Sequence, residues 1–169
     1  RRLEADPGTE AIIIVSKPPA QGTLSRLEQA LAASSKPVAV ACLGAAERSS
    51  GRTTWVTTLA DAVDATVAGL RNETWQRTAF SDPAAARDTV ARLGSATRGK
   101  SLLGVYTGGT LAHEAEILLQ PMLGELAYGD ETAIDHGRHC IVDLGDDQYT
   151  QGRPHPMIDP RPRAELLAR

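Results

Sequence analysis

Two stretches of this chain carry residue types suited to binding or transforming an anion. The first is Tyr106-Thr107-Gly108-Gly109-Thr110-Leu111-Ala112-His113-Glu114. Paired glycines between a strand and a helix let an anion approach bare backbone. The amides that open the helix carry a partial positive charge. Gly108, Gly109 and Thr110 are therefore candidate phosphate or substrate ligands. A short glycine motif is more often an ordinary connection that needs a positive φ. The second stretch runs from Leu144 to Pro160 and follows directly on an apolar run, where open α/β sheets bind their ligands. In it Arg153 offers a planar fork for a carboxylate or phosphate. His155, set between Pro154 and Pro156, has a constrained backbone and suits a donor or proton carrier near neutral pH. Asp146, Asp147 and Asp159 supply acceptors or Mg²⁺ ligands. The plain alternative is a solvated polar loop with a salt bridge, and rigid prolines around an Arg–His pair argue against it. Lys17, just past the first apolar run, is placed to hold an anionic substrate or simply to be solvated. His113, His136 and His139 lack zinc-ligand spacing and read as surface histidines. Cys42 and Cys140, each in an apolar run, read as buried small residues.

The elements that position these residues follow from periodicity. Residues 11–15 are apolar and β-branched, which predicts a strand buried on both faces of a parallel sheet. Leu24, Leu27 and Leu31 share one helical face, in a helix expected to reach about Ser34. Strands are predicted over Val38–Leu43, stopped by Gly44, and over Trp55–Thr57. Thr58-Leu59-Ala60-Asp61 has the form of a capping box, and Leu59, Val63, Val67 and Leu70 form the stripe of the helix it opens. Ser81-Asp82-Pro83 starts a surface helix that Gly94 ends. Further on come a strand at 102–106, a helix lined by Leu111, Ala115, Leu118 and Met122 and closed by Gly124, and a strand at 140–143. A long loop over 144–163 and a helix from about Ala164 complete the pattern. The order is that of an α/β protein with a Rossmann- or flavodoxin-like parallel sheet. It divides into an α/β lobe over 1–71, a connector with a surface helix over 72–100, and a second lobe over 101–169. Each lobe is expected to be partial, as in a fragment of a longer protein.

Composition narrows the classes of function. With 169 residues, 18 Lys and Arg against 21 Asp and Glu, and a net charge of −3, no basic excess exists to neutralise phosphates along a nucleic acid. Six aromatics (1 Phe, 2 Trp, 3 Tyr) supply a poor stacking platform. Apolar runs fall far short of the ~20 residues that span a bilayer. Two cysteines without repeated spacing argue against a disulfide framework and for a reducing, cytoplasmic setting. The partners expected are a small anionic substrate and either companion subunits or further copies of the chain.

Several segments together resemble a known family. Asp6-Pro7-Gly8-Thr9-Glu10-Ala11-Ile12-Ile13-Ile14-Val15, then Lys36-Pro37-Val38 and a strand ending at Gly44, resemble succinyl-CoA synthetase α subunits. Val56 to Ala62 is similar to the closing strand and helix of that CoA-ligase domain, and Tyr106 to Ala115 to the helix whose first amides hold a phosphoryl group. Asp143 to Asp147, with Gly152 to Pro160, resembles the FdrA proteins, the acyl-CoA-synthetase-like branch. In the acid–thiol ligases a glutamate follows the first strand and a Gly-His-Ala-Gly stretch carries a phosphohistidine. Here Lys17 takes the first place, and Gly44 to Thr54 is short and without histidine. The resemblance therefore implies exchange of an acyl or carbamoyl group between oxamate and phosphate in allantoin breakdown, without phosphohistidine. It brings phosphate or an acyl phosphate as ligand, with CoA a further candidate. Gly108, Gly109 and Thr110 would hold phosphate, while Arg153 and His155 hold or protonate the substrate. The alternatives are an acid–thiol ligase subunit relying on another chain, and a non-catalytic assembly module.

Overall fold

The structure, a computed structural model, describes residues 2–17, 19–77, 82–93 and 101–168. It divides into two units, Arg1–Ala79 and Phe80–Arg169. Both are mixed α/β, with mainly parallel sheets flanked by helices, as in Rossmann- and flavodoxin-like folds.

In the first unit the chain runs α1 (Arg2–Ala5), β1 (Ile12–Ser16), α2 (Gln21–Leu31), β2 (Val38–Cys42), β3 (Arg48–Ser50), β4 (Thr53–Val56) and α3 (Leu59–Leu70). The sheet order is β1-β2-β4-β3. β2 pairs in parallel with β1 and β4, while β3 and β4 form an antiparallel hairpin. Central β2 is buried along its whole length, which its small apolar residues permit. On one face Leu24, Leu27 and Leu31 of α2 cover Val38, Val40, Cys42 and Trp55. On the other, Ala62 and Ala65 of α3 lie on Ala39, Ala41 and Val56.

Three expectations are corrected in this unit. β1 is an edge strand, so only alternate residues are covered: Ile13 and Val15 are 45% and 48% exposed. The stripe Val63, Val67, Leu70 also faces outward, because the sheet under α3 presents alanines and is met by the helix's own alanines. Gly69 shows how close that approach is, since a Cβ there would stand 2.7 Å from Cβ of Pro37. Finally, the strand expected over Trp55–Thr57 runs from Thr53 to Val56 and is the second arm of the β3–β4 hairpin, which turns at Gly51 with φ of +59°. The cap of α3 is as expected on one side: Thr58 Oγ1 accepts the Asp61 N–H at 3.0 Å. The Asp61 carboxylate accepts from Arg77 at 2.9 Å.

The second unit holds α4 (Pro83–Leu93), β5 (Leu103–Tyr106), α5 (Gly109–Leu123), β6 (Leu126–Tyr128), a 3₁₀ turn (Glu131–His136), β7 (His139–Asp143), α6 (Asp147–Thr150) and α7 (Arg161–Leu167). Asp82 caps α4 by accepting the Ala85 N–H at 2.9 Å. The expected helix boundaries at Ser81 and Gly94 lie outside the described residues. All three strands are parallel in the order β5-β7-β6, with central β7 buried from Cys140 to Asp143. Ala112, Ala115 and Leu119 of α5 cover Ile141, Leu126 and Tyr106. Ala133, Leu144 and Leu166 cover Cys140 and Val142 on the opposite face. The expected lining of α5 is thus shifted in phase. Leu111, Leu118 and Met122 are exposed, and Ala112 is the fully buried position. Gly124 closes α5 as expected, with φ of +77°. The segment after β7 is less of a loop than expected, since it holds α6 and then α7 from Arg161. Among the described residues no helix is long and apolar enough to cross a membrane.

Candidate functional site

The carboxyl ends of β5 and β7 lie side by side, Tyr106 opposite Asp143. The Leu144 N–H donates to the Tyr106 carbonyl at 2.8 Å, which extends the ladder one residue past β7. Gly145 then packs against Thr107: a Cβ there would sit 3.1 Å from Asp143 Oδ1 and 3.3 Å from the Thr107 carbonyl oxygen. The Asp143 carboxylate, 9% exposed, accepts the Gly145 N–H at 2.8 Å and fixes this junction. The turns after β5 and β7 therefore meet at the edge where open α/β sheets bind ligands.

At that edge Gly108 precedes α5 with φ −174° and ψ 124°, extended backbone that any residue adopts. No side chain caps the helix, and no heavy atom lies within 4 Å of where a Gly108 side chain would begin. A left-handed conformation and crowding within the fold are the usual internal reasons for glycine, and neither applies. The opening amides of α5 have no intrahelical acceptors. Tyr106, Thr107, Gly108, Gly109, Thr110 and Met157 line an open cleft of about 450 Å³ there.

The loop after β7 distributes its residues differently from the sequence reading. Met157 reaches the glycine turn, whereas Arg153 lines a separate cleft with Glu131, Tyr149 and Glu165. Between the two, Pro156 is fully buried and the His155 carbonyl accepts the Ile158 and Asp159 N–H groups at 2.8 and 3.0 Å. This pinned turn separates Arg153 from Met157. His155 is half-buried, and its Nδ1 accepts the Met157 N–H at 3.2 Å, which leaves Nε2 to carry the proton of the neutral ring. Asp159 is held by Arg161 through contacts of 2.7–3.1 Å, and these hydrogen bonds pull its carboxyl below the usual range. Asp146 caps α6 by accepting the Gln148 N–H at 3.3 Å, and Asp147 is exposed in the first turn of that helix. As Mg²⁺ ligands these aspartates do not converge. Among the described residues no group of three or more His, Cys, Asp or Glu side chains could hold a metal ion. Lys17 is exposed at the carboxyl end of β1 and belongs to the other unit.

Sequence reasoning missed a polar group on the same edge. His113 Nδ1 lies 2.8 Å from Glu116 Oε2, and its ring meets that of Tyr128 edge-on at 6.4 Å. Burial first, then the charges of Asp143, Glu116 and Asp146, raise the Tyr128 phenol above its ordinary value, so it stays a donor. His113 stands one helical turn beyond Gly109 on the same face of α5. The i,i+3 spacing of His113 and Glu116 is visible in the chain; their proximity to β6 is not, because its three residues carry too little pattern to predict a strand. His139 has a structural part, its Nδ1 accepting the Leu102 N–H at 3.1 Å. Both cysteines are buried, and burial raises both thiols.

No family model matches the chain. It is 31% identical over 177 residues to the Escherichia coli (strain K12) protein described as Uncharacterized protein YahF, an alignment covering 98% of this chain and 34% of that protein. The chain thus spans about a third of the length of this relative.

Proposed function

We propose that the second unit binds a phosphate or phosphoryl group at Gly108-Gly109-Thr110, and that the chain is part of an FdrA-type protein, related to the CoA-ligase domains. Its reaction would move an acyl or carbamoyl group between a small carboxylate, oxamate in the named case, and phosphate, without phosphohistidine. The observation that carries this reading is the uncapped start of α5, where the space in front of Gly108 is empty and no internal demand accounts for glycine. The resemblance supplies the substrate class; the geometry supports anion chemistry at that turn. The stretch that bears the phosphohistidine in the acid–thiol ligases corresponds here to the β3–β4 hairpin, which contains no histidine.

The reaction is tested with the protein and its companion subunits. Oxamate-dependent release of phosphate from carbamoyl phosphate supports it. There the carbonyl carbon leaves the phosphate oxygen for the oxamate nitrogen, which gives up a proton. Thioester formation that needs CoA and ATP would instead favour an acid–thiol ligase. Binding is tested separately: phosphate should raise the melting temperature of the wild type and not that of Gly109→Val, where a branched side chain stands over the amides. An equal rise in both variants would overturn the assignment of the turn.

A further inference from the structure

Between α2 and the β3–β4 hairpin of the first unit lies a cleft of about 390 Å³, within the roughly 300–1,000 Å³ that small-ligand sites occupy. Glu28 and Gln29 of the helix line it with Arg48, Ser50, Thr53 and Trp55 of the hairpin. Arg48 stands opposite Trp55 and Ser50 opposite Thr53 in the ladder, so all four share the sheet face on which α2 lies. Thr53 is the anomaly among them. It is 4% exposed, and its Oγ1 is enclosed with no hydrogen-bond partner in the fold. Valine has the same shape, is as favourable in a strand and carries no hydroxyl to desolvate. Folding alone therefore does not account for threonine at this position. Arg48, in contrast, is fully committed. Its guanidinium lies 4.0 Å from the centroid of the Trp55 ring, donates to the Ala46 carbonyl at 2.9 Å and pairs with the Glu28 carboxylate. Trp55 is only 3% exposed, whereas the Arg48 side chain is 34% exposed, so the flat surface open to a ligand is the guanidinium.

We propose that this cleft binds a neutral planar heterocycle of one or two rings, stacked on the Arg48 guanidinium with its donor–acceptor edge toward Thr53. The Thr53 hydroxyl, on a staggered rotor, is both donor and acceptor and suits a ring nitrogen or a ring carbonyl. The Ser50 hydroxyl and the Gln29 amide, on exposed residues of the same cleft, offer further bonds to that edge. Glu28 already neutralises Arg48, so the pair leaves no net charge to draw in a free anion or cation. A guanidinium plane backed by an indole receives the face of a ring, which a polyol lacks. The inference concerns the first unit alone and stands or falls independently of the glycine turn.

The experiment titrates the full chain with uracil and adenine, with myo-inositol as a polyol of similar size and acetate as a simple anion. Amide NMR signals of Ser50, Thr53 and Trp55, with the Trp55 indole N–H, report binding. At least one heterocycle should bind about tenfold or more tightly than inositol and acetate. Arg48→Lys keeps the charge but removes the plane, and should weaken that binding about tenfold. Thr53→Val should weaken it about fivefold or more while raising the melting temperature of the free protein by about 2 °C or more. A residue with only a structural role would not move the two readouts in opposite directions. A less stable Thr53→Val protein, undisturbed binding in either variant, equal binding of inositol or acetate, or signals unmoved by every probe would overturn the proposal.

Discussion

The Glu4 carboxylate lies on the surface of the first unit, yet it accepts from Ser34 Oγ, the Ser35 N–H and Ser35 Oγ at 2.7–2.8 Å. These hydrogen bonds, the one from Ser35 Oγ foremost, hold its pKa at about 2 against an ordinary 4.5. Because the folded value is the lower one, the contact stabilises the unit in full above the ordinary value. It is lost as pH falls from about 4.5 toward 2. The expected outcome is that the amides of Ser34 and Ser35 exchange faster as pH falls through this window, relative to β2. In Glu4→Gln their exchange, so normalised, should no longer change there. A wild-type profile as flat as that of Glu4→Gln would contradict the assignment. At the candidate site the same logic separates residues by how their groups are spent. Asp159 and Asp146 are committed to Arg161 and to the cap of α6, whereas the first amides of α5 have no such local use.

At the level of elements, the packing of α3 and α5 shows where the sequence was legible. Strands around Ile12, Val38, Trp55, Leu103 and Cys140 and the helices after Thr58 and after the Gly108-Gly109 turn follow from apolar runs, the Thr58 cap and the glycine pair, because those signals are local. The buried faces of α3 and α5 do not follow from the largest apolar residues. The sheets present Ala39 and Ala41 in one unit and Ile141 in the other, and the helices approach with Ala62, Ala65 and Ala112. A stripe of Val and Leu then ends on the outside, against the usual reading of apolar periodicity. Three-residue strands such as β3 and β6 carry too little pattern to be seen. The arrangement predicts an inverted mutational profile. Gly69→Ala, favourable in most helices, should cost about 1–3 kcal/mol because the added methyl meets the rigid Pro37 ring. Val67→Ser, by contrast, should change stability by no more than about 0.5 kcal/mol. Urea unfolding of the two variants checks this, and a more stable Gly69→Ala protein would contradict the close packing of α3.

For the molecule as a whole, the first unit leaves Ile13 and Val15 of edge strand β1 exposed on the same sheet face that carries the outward stripe of α3. Edge strands with apolar neighbours invite pairing. The chain is therefore expected to associate with another copy or a companion subunit, and a clean monomer by light scattering at high micromolar concentration would count against self-association. The site residues proposed for anion binding were legible as a motif, while the separation of Arg153 from them depended on the pinned turn at His155 and Pro156, which spacing alone does not reveal. On this reading the intact protein holds an oxyanion at the start of α5. A phosphate titration followed by amide NMR tests it most directly. Saturable shifts of Gly108, Gly109, Thr110 and Leu111 that are absent in Gly109→Val are the expected outcome. Signals of 108–111 that stay unmoved while phosphate rises would contradict it.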